Sequence, residues 1–124
     1  MFSDFVVAVQ NQDKRNIFKT FTGDVSSAPE ELRDFYKNSN PIDVVAKLDD
    51  RSQINFYGIE LIPAIQIEYD LPKSPFCFAT KDGDPVYYLD GKIYIALSDG
   101  GSKLELLADS FIEYIQSILK HMYR

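Results

Sequence analysis

The sequence predicts an α+β domain whose antiparallel-rich central sheet is flanked by helices. Residues 76–97 contain three short runs rich in aromatic and β-branched residues, separated by two Asp-Gly pairs, which is the pattern of a three-stranded meander. Apolar residues at helical spacing predict helices over about residues 3–11, 28–37 and 110–123. Shorter β-branched runs between the helices predict additional strands in the same sheet.

Two turns are expected to set the register of the meander. Asp90-Gly91 suits a two-residue type I′ turn, because both of its residues must adopt positive φ. Asp82-Gly83 is a second turn signal, for which the alternatives are a two-residue loop and a wider loop that includes Asp84 and Pro85. The register that these turns predict is Leu89 opposite Lys92, Tyr88 opposite Ile93, Tyr87 opposite Tyr94, Val86 opposite Ile95, Ala79 opposite Val86, Phe78 opposite Tyr87 and Cys77 opposite Tyr88.

This register sorts the side chains of the meander onto two faces. The first face is mainly aliphatic and is predicted to be the core; it carries Cys77, Ala79, Val86, Tyr88, Ile93, Ile95 and Leu97. The second face is mainly aromatic, and other elements or a partner can cover it; it carries Phe76, Phe78, Tyr87, Leu89, Tyr94 and Ala96.

Serine residues mark the predicted helix starts. Ser3 is a candidate cap for the first helix, and Ser27 with Glu30 has the spacing of a capping box for the second. Ser110 with Glu113 repeats that spacing before the last helix.

The segments between the helices are predicted as strands and loops. Residues 42–48 favour a strand, and residues 54–62 favour one or two strand pieces broken at Gly58. Residues 65–69 fit either an edge strand or a single helical turn.

Composition limits the classes of function. A chain of 124 residues with 45% hydrophobic residues is expected to form one domain, residues 1–124. A net charge of −6 disfavours direct nucleic-acid binding, which needs a basic surface, and favours a basic partner. No apolar run is long enough for a membrane span, the start of the chain lacks a signal-peptide pattern, and there is one cysteine, so we expect a cytoplasmic protein.

The residues that carry chemistry do not form a catalytic or metal pattern. His121 falls in the last turn of the predicted C-terminal helix, where a cation complements the helix dipole. Cys77 lies between two phenylalanines and is expected to be a buried, unreactive thiol. An EF-hand loop that starts at Asp82 would need glutamate at its twelfth position, where Ile93 stands. The sequence therefore predicts no enzyme, no cofactor and no metal site.

A protein-binding surface is the remaining expectation. The turn aspartates project into solvent, where clustered carboxylates attract a basic partner, although the plainer alternative is that they only form turns and keep the chain soluble. Tyrosine is enriched at interfaces, so tyrosines of the second sheet face are added as anchors. The predicted partner-binding residues are Asp82, Asp84, Asp90, Asp99, Tyr87 and Tyr94.

The order of several short motifs resembles the SUKH superfamily, which is named for the yeast cell-wall synthesis regulator and its bacterial relatives. The resemblance covers about residues 17–120. The motifs that carry it are APEELRDFY at 28–36, GIELIP at 58–63, Phe78-Ala79, Gly83-Asp84, Tyr88-Leu89-Asp90, GKIY at 91–94 and LADSFIEYI at 107–115.

The resemblance implies an α+β domain that is not an enzyme. In bacteria such domains are typically immunity proteins, which bind and neutralise a cognate toxin of a polymorphic toxin system; the acidic chain suggests a basic toxin such as a nuclease. The alternative is a regulatory scaffold of the cell-wall synthesis regulator type. A small-molecule binding module is a third possibility, which a cluster of convergent titratable residues would favour.

Overall fold

Helices pack against a meander of antiparallel strands in the computed structural model, which describes residues 2–71, 75–97 and 103–123. This architecture confirms the predicted α+β class. The helices are α1 (Ser3–Gln12), α2 (Glu30–Ser39), α3 (Ile62–Glu68) and α4 (Phe111–His121), with a 3₁₀ turn at Ile59–Leu61. The strands are β1 (Ile17–Lys19), β2 (Asn40–Ile42), β3 (Val44–Lys47), β4 (Gln53–Phe56), β5 (Phe76–Lys81), β6 (Asp84–Leu89), β7 (Lys92–Leu97) and β8 (Lys103–Ala108).

The main sheet has six strands in the order β3-β4-β5-β6-β7-β8, and every neighbouring pair is antiparallel. β1 and β2 form a separate antiparallel pair. Within the described residues, no helix is long and apolar enough to cross a membrane.

Both predicted hairpins are present. Asp90 and Gly91 have φ values of 52° and 85°, and Asp82 and Gly83 have values of 50° and 90°. Positive φ at both turn positions is the type I′ geometry that Asp-Gly favours. The predicted register between β6 and β7 is confirmed, as is the pairing of Ala79 with Val86.

One part of the predicted register is wrong, because β5 contains a β-bulge at Phe78. The extra residue places Cys77 opposite Tyr87 and Phe76 opposite Tyr88. Phe76 and Phe78 therefore join the core, and Cys77 lies on the other face of the sheet. Residues 76–79 are apolar or small at every position, so no alternation specifies the register locally, and burial of the Phe78 ring decides it.

The three predicted helices are present, but only one predicted cap is. The Glu113 N–H donates to Ser110 Oγ at 3.1 Å, which confirms the cap of α4. The predicted caps at Ser3 and Ser27 are wrong, because Phe2 and Pro29 occupy the cap positions and no side chain caps either helix. Packing of buried apolar residues sets these two starts instead of local hydrogen bonding.

Two segments differ from the prediction made from the sequence, and the structure decides between two predicted alternatives for a third. The stretch 54–62 is a strand only as far as Phe56, and its second half enters the 3₁₀ turn and α3. Of the two alternatives for residues 65–69, the helical one is correct, since α3 runs to Glu68. β8 is a strand that the sequence motifs do not predict, because its exposed apolar residues lack a clear alternation.

The core lies between one face of the sheet and α1, α2 and α4. It is built around phenylalanines whose rings meet edge to face: Phe35 lies 5.2 Å from Phe2 and 5.3 Å from Phe111, and Phe111 lies 5.2 Å from Phe78. Such edge-to-face pairs are the preferred arrangement of aromatic quadrupoles. The opposite face of the sheet is partly covered by α3.

The outer edge of β3 is closed by two side-chain amides. Val45 donates its N–H to Asn16 Oδ1 at 2.9 Å, and Asn16 Nδ2 donates to the Val45 carbonyl at 3.0 Å. Gln12 makes the same two bonds with the N–H and carbonyl of Lys47, at 2.7 and 2.8 Å. Each amide therefore bonds to the edge as a neighbouring strand would.

Candidate protein-binding surface

The β5–β6 hairpin is tied to the neighbouring strand by its turn aspartate. Asp82 Oδ1 accepts a hydrogen bond from the Gln53 N–H at 3.0 Å, and the Asp82 N–H donates to the Gln53 carbonyl at 3.0 Å. Asp82 is exposed, but its carboxylate has a structural partner. The Asp82 carboxylate therefore projects into solvent and also supports the neighbouring strand.

Two tyrosines border the same hairpin. The Tyr57 hydroxyl lies 2.8 Å from Thr80 Oγ1, and the Tyr69 hydroxyl donates to the Gly83 carbonyl at 3.0 Å. Burial, chiefly, raises the pKa of the Tyr69 phenol; the tyrosines and acids around it, including Glu68 and Asp84, add to that effect. We call the group formed by Tyr57, Glu68, Tyr69, Asp82 and Asp84 the hairpin surface.

Three members of the hairpin surface, Tyr57, Tyr69 and Asp82, line a small polar groove of about 300 Å³. Its walls combine backbone and amide groups with two phenol rings, and a carboxylate stands at the rim. Such a mixture offers acceptors to a basic side chain and flat apolar area to its stem. The lining residues are Gln53, Asn55, Tyr57, Tyr69, Thr80, Asp82 and Gly83.

The predicted aspartates do not form one cluster. Asp84 begins β6 and Asp90 follows its end, so the two lie about 20 Å apart at about 3.3 Å per residue. Successive turns of a meander fall at opposite ends of the sheet, which separates Asp90 from the hairpin surface. Asp99, the fourth predicted aspartate, lies outside the described residues.

At the far end of the sheet, Tyr88 lies within electrostatic reach of Asp90 and of the two acids in the first turn of α2. The pKa of the Tyr88 phenol is raised by burial first, and then by the charges of Glu31, Asp90 and Glu30. This second acidic group could not be found from the sequence, because Glu30 and Glu31 stand some 60 residues before Asp90 in the chain.

The two predicted tyrosines differ in exposure. Tyr87 is only 4% exposed, while Tyr94 is half-buried beside it with ring centroids 6.2 Å apart. Both lie on the sheet face opposite the core, in the row that runs from Cys77 through Tyr87 and Tyr94 to Leu106. Tyr94 is thus the one of the pair that presents area to a partner.

The reactive side chains do not converge. Cys77 is fully buried, and burial raises the pKa of its thiol to about 11. His121 ends α4 and lies 3.9 Å from a carboxylate oxygen of Asp49, with both side chains more than half exposed. Among the described residues, no three His, Cys, Asp or Glu side chains lie together as metal ligands would.

The family model that describes SMI1 / KNR4 proteins (SUKH-1) matches residues 27–117. The chain belongs to this SUKH family. The match confirms the resemblance drawn from the short motifs, and the SUKH family includes immunity proteins of toxin systems. No curated protein and no solved structure is significantly similar to the chain.

The hairpin surface lies within the SUKH-matched range, whereas α1 and β1 precede it. The sequence motifs do not point to three members of the hairpin surface. These residues lie in the loop after β4 and at the end of α3; they are Tyr57, Glu68 and Tyr69. The signal for Glu68 and Tyr69 is the helical alternative for residues 65–69, and Tyr57 has none beyond its place in the predicted strand stretch 54–62. This SUKH surface offers carboxylate and carbonyl acceptors and phenol rings to a bound partner.

A larger groove in the described part of the SUKH chain lies elsewhere. It measures about 570 Å³ and is lined by residues of α1 and residues 122–123, and Asp4 is the charged side chain among its described lining residues. None of the predicted partner-binding residues lines it. The remaining lining residues are Val7, Ala8, Asn11, Gln12, Met122 and Tyr123.

Proposed function

We propose that this SUKH protein is an immunity protein that binds a cognate toxin domain in the cytoplasm and neutralises it by protein–protein contact. The observation that carries the proposal is the family match over residues 27–117. The SUKH family is generally non-catalytic. Neutralisation would then require only that the bound protein occupy the active site or substrate cleft of the toxin.

The charge of the chain supports a basic toxin as the partner. The net charge is −6, and ten acidic against four basic side chains fall between residues 60 and 113. A nuclease that binds phosphates offers a basic cleft, in which carboxylates take the place of phosphate oxygens. Opposite charges also speed the encounter of the two proteins, and salt weakens this effect.

The hairpin surface is the part that we assign to toxin binding. It combines two acids, Glu68 and Asp84, with the half-buried rings of Tyr57 and Tyr69 on one end of the sheet. Tyrosine is among the residues that dominate interface energies, and the acids attract a basic partner.

Co-expression tests the function itself. The toxin domain encoded beside the gene is expressed in a sensitive host with and without this chain. We expect growth to be restored by the chain, and the two purified proteins to form a complex of defined stoichiometry. If the chain neither binds nor neutralises a neighbouring toxin domain, immunity is excluded, and binding without neutralisation would support the regulatory-scaffold alternative.

Matched neutralising variants test the surface. Glu68→Gln with Asp84→Asn removes two charges at the hairpin surface, and Glu30→Gln with Asp90→Asn removes two charges at the opposite end. We expect only the first pair to slow association with the toxin, by up to about tenfold at low salt. Asp82 is left unchanged because its carboxylate supports the Gln53 backbone.

Two readouts complete this experiment. The melting temperature of each pair is measured first, so that a binding change is not a folding change. Equal slowing by both pairs would show that only the overall charge matters, and no slowing by either, with no salt dependence, would show that the acids serve turns and solubility alone.

A further inference from the structure

The two edges of the six-stranded sheet differ in a way that bears on assembly. At β3, the amides of Asn16 and Gln12 occupy the outward backbone groups of Val45 and Lys47. At β8, no hydrogen bond between described residues reaches the outer side of the strand from another element. An unpaired edge is a template for another strand.

The direction of the free groups follows from the hairpin geometry. In a two-residue hairpin the residues that flank the turn, here Leu89 and Lys92, form a hydrogen-bonded pair. Every second residue of β7 from Lys92 onward therefore bonds to β6, and the residues between them bond to β8. Leu104 lies opposite Ala96, and Leu106 lies opposite Tyr94. Because Tyr94 and Ala96 bond to β6, the N–H and C=O groups of Leu104 and Leu106 point away from the sheet.

Leu104 and Leu106 also have solvent-exposed apolar side chains. Leu104 is 52% exposed and Leu106 is 48% exposed, on the face that also carries the half-buried Tyr94 and Ala96. Exposed leucines on an edge strand are a liability that chains usually avoid unless a partner covers them.

The charges of β8 match those of a second copy of the same strand. Lys103 and Glu105 flank Leu104, and both side chains are exposed on the opposite face from the leucines. If two copies pair antiparallel with Leu104 opposite Leu104, each Lys103 lies opposite the Glu105 of the other copy. A shift of one register step, with Glu105 opposite Glu105, would bring like charges together, which destabilises a cross-strand pair.

We propose that two copies of this chain associate through the outer edge of β8, with Lys103 of each copy opposite Glu105 of the other. The two Leu104 residues exchange their outward N–H and C=O groups on the twofold axis, and their side chains cover one another, with each Leu106 diagonal to Leu104 of the other copy. Because the β3 edge is closed by Asn16 and Gln12, the paired sheets end at two copies and do not extend into a fibre. This inference stands apart from the proposed toxin binding.

Sedimentation equilibrium tests the association directly. We expect the mass to rise from the 14.2 kDa of one chain toward twice that value as the concentration rises. A chain that remains monomeric up to about 1 mM, the weak end of specific affinity, would overturn the proposal.

Charge exchange tests the register. Lys103→Glu alone places Glu opposite Glu105 twice, and Glu105→Lys alone places Lys opposite Lys103 twice, so each single variant should weaken the dimer at least several-fold. The double variant restores opposite charges and should restore the dimer. A double variant that is as weak as the single ones would overturn the register.

A backbone variant tests the ladder itself. Leu104→Pro removes the outward N–H without removing a bond to β7, and proline is accepted on edge strands in this orientation. We expect Leu104→Pro to be monomeric and its matched control, Leu104→Val, to dimerise. If Leu104→Pro fails to fold, the charge exchange still decides, because it alters only exposed side chains.

Hydrogen exchange separates a second copy from a different occupant. The amides of Leu104 and Leu106 should become protected as the concentration of the free chain rises. Protection that appears only when the toxin domain is added would overturn the proposal and assign the edge to the toxin.

Discussion

At the scale of single residues, the aromatic core shows how much depends on individual rings. Phe111 is fully buried and meets Phe2, Phe35 and Phe78 edge to face within 5.7 Å. It begins α4 directly after the Ser110 cap, so one ring joins the last helix to α1, α2 and the sheet.

Phe111→Ala should lower the free energy of unfolding by about 3–5 kcal/mol, because it leaves a cavity among rings that cannot collapse freely. Urea denaturation measures the change. The neighbouring Ile112 is 40% exposed, so Ile112→Ala serves as the control and should cost far less. A loss below about 1 kcal/mol for Phe111→Ala would show that α4 is peripheral to the core.

The hydroxyl of the buried Tyr36 side chain adds no hydrogen bond to the described part of the fold. The side chain is fully buried, and its hydroxyl has no hydrogen-bond partner among the described residues. Burial first, and the charge of Cys77 second, raise the pKa of this phenol well above its ordinary value.

Tyr36→Phe should therefore leave stability unchanged or raise it, by up to about 1–3 kcal/mol, because an unsatisfied hydroxyl is removed from the core. Tyr57→Phe is the matched control, since it deletes a hydroxyl that bonds to Thr80. Thermal and urea unfolding of both variants compare the two effects. A marked loss for Tyr36→Phe would mean that the hydroxyl has a partner such as buried water.

The buried thiol of Cys77 makes stability depend on pH at the alkaline end. Its folded pKa of about 11 lies above the ordinary value of 9.0, because burial disfavours the thiolate. Between about pH 9 and 11 the unfolded chain loses the thiol proton and the folded chain keeps it. The contribution of this thiol to the free energy of unfolding is therefore fully present below about pH 9 and is lost as the pH rises toward 11.

Native Cys77 should therefore react with a disulfide reagent far more slowly than the urea-unfolded chain at about pH 8, since the thiolate is the reactive form. The reaction is followed by absorbance, with Cys77→Ala as the blank. Equal rates in the folded and unfolded chains would place the thiol at the surface, against the burial described above.

At the scale of secondary-structure elements, the closed edge of β3 depends on two amides of different burial. Asn16 is 4% exposed and bonds to Val9 as well as twice to Val45, while Gln12 is half-buried. Both residues lie at or just after the end of α1, so the helix holds the amides along the strand.

Asn16→Ala should destabilise the fold by about 1–3 kcal/mol, because it leaves the half-buried N–H and C=O of Val45 without partners, while the Val9 carbonyl keeps its bond from the Asp13 N–H. Gln12→Ala should cost less, since water can reach the groups that it releases. Hydrogen exchange is the specific readout: the Val45 amide should lose protection in Asn16→Ala and keep it in Gln12→Ala. An unchanged Val45 amide would contradict the strand-like role of the Asn16 amide.

At the scale of the whole molecule, the core extends beyond the range that the SUKH family model matches. α1 precedes residue 27, yet Phe5 and Val9 are completely buried, and the Phe5 ring lies 5.3 Å from that of Phe56 in the sheet. The N-terminal residues are therefore structural for the sheet and its helices.

Deletion of residues 1–26 should abolish cooperative thermal unfolding, because it exposes Phe35 and Phe56 and opens the β3 edge at the same time. Circular dichroism during heating measures the transition. Phe5→Ala is the milder companion and should lower the melting temperature while keeping the transition. A sharp transition in the truncated chain would show that the family-matched segment folds without α1.

Local chemistry determined much of this protein. Asp-Gly pairs at residues 82–83 and 90–91 predicted both hairpins, because few residue pairs adopt positive φ twice at low cost. The i, i+3, i+4 apolar spacing predicted three helices, and the order of the short motifs predicted the SUKH family. These signals come from residues that are close together in the chain, because each one specifies a single turn conformation or a single helix face.

Only the tertiary structure decided which side chains meet. The run 76–79 is apolar or small throughout, so the bulge at Phe78 follows from the shape of the core and not from a local pattern. The meander sends Asp90 to one end of the sheet and Asp84 to the other, where α3 and the loop before it supply Glu68, Tyr57 and Tyr69. The closed edge at β3 also depends on where α1 lies, because Gln12 and Asn16 bond to it. Contacts between distant segments are set by packing a common core, and no window of neighbouring residues contains that information.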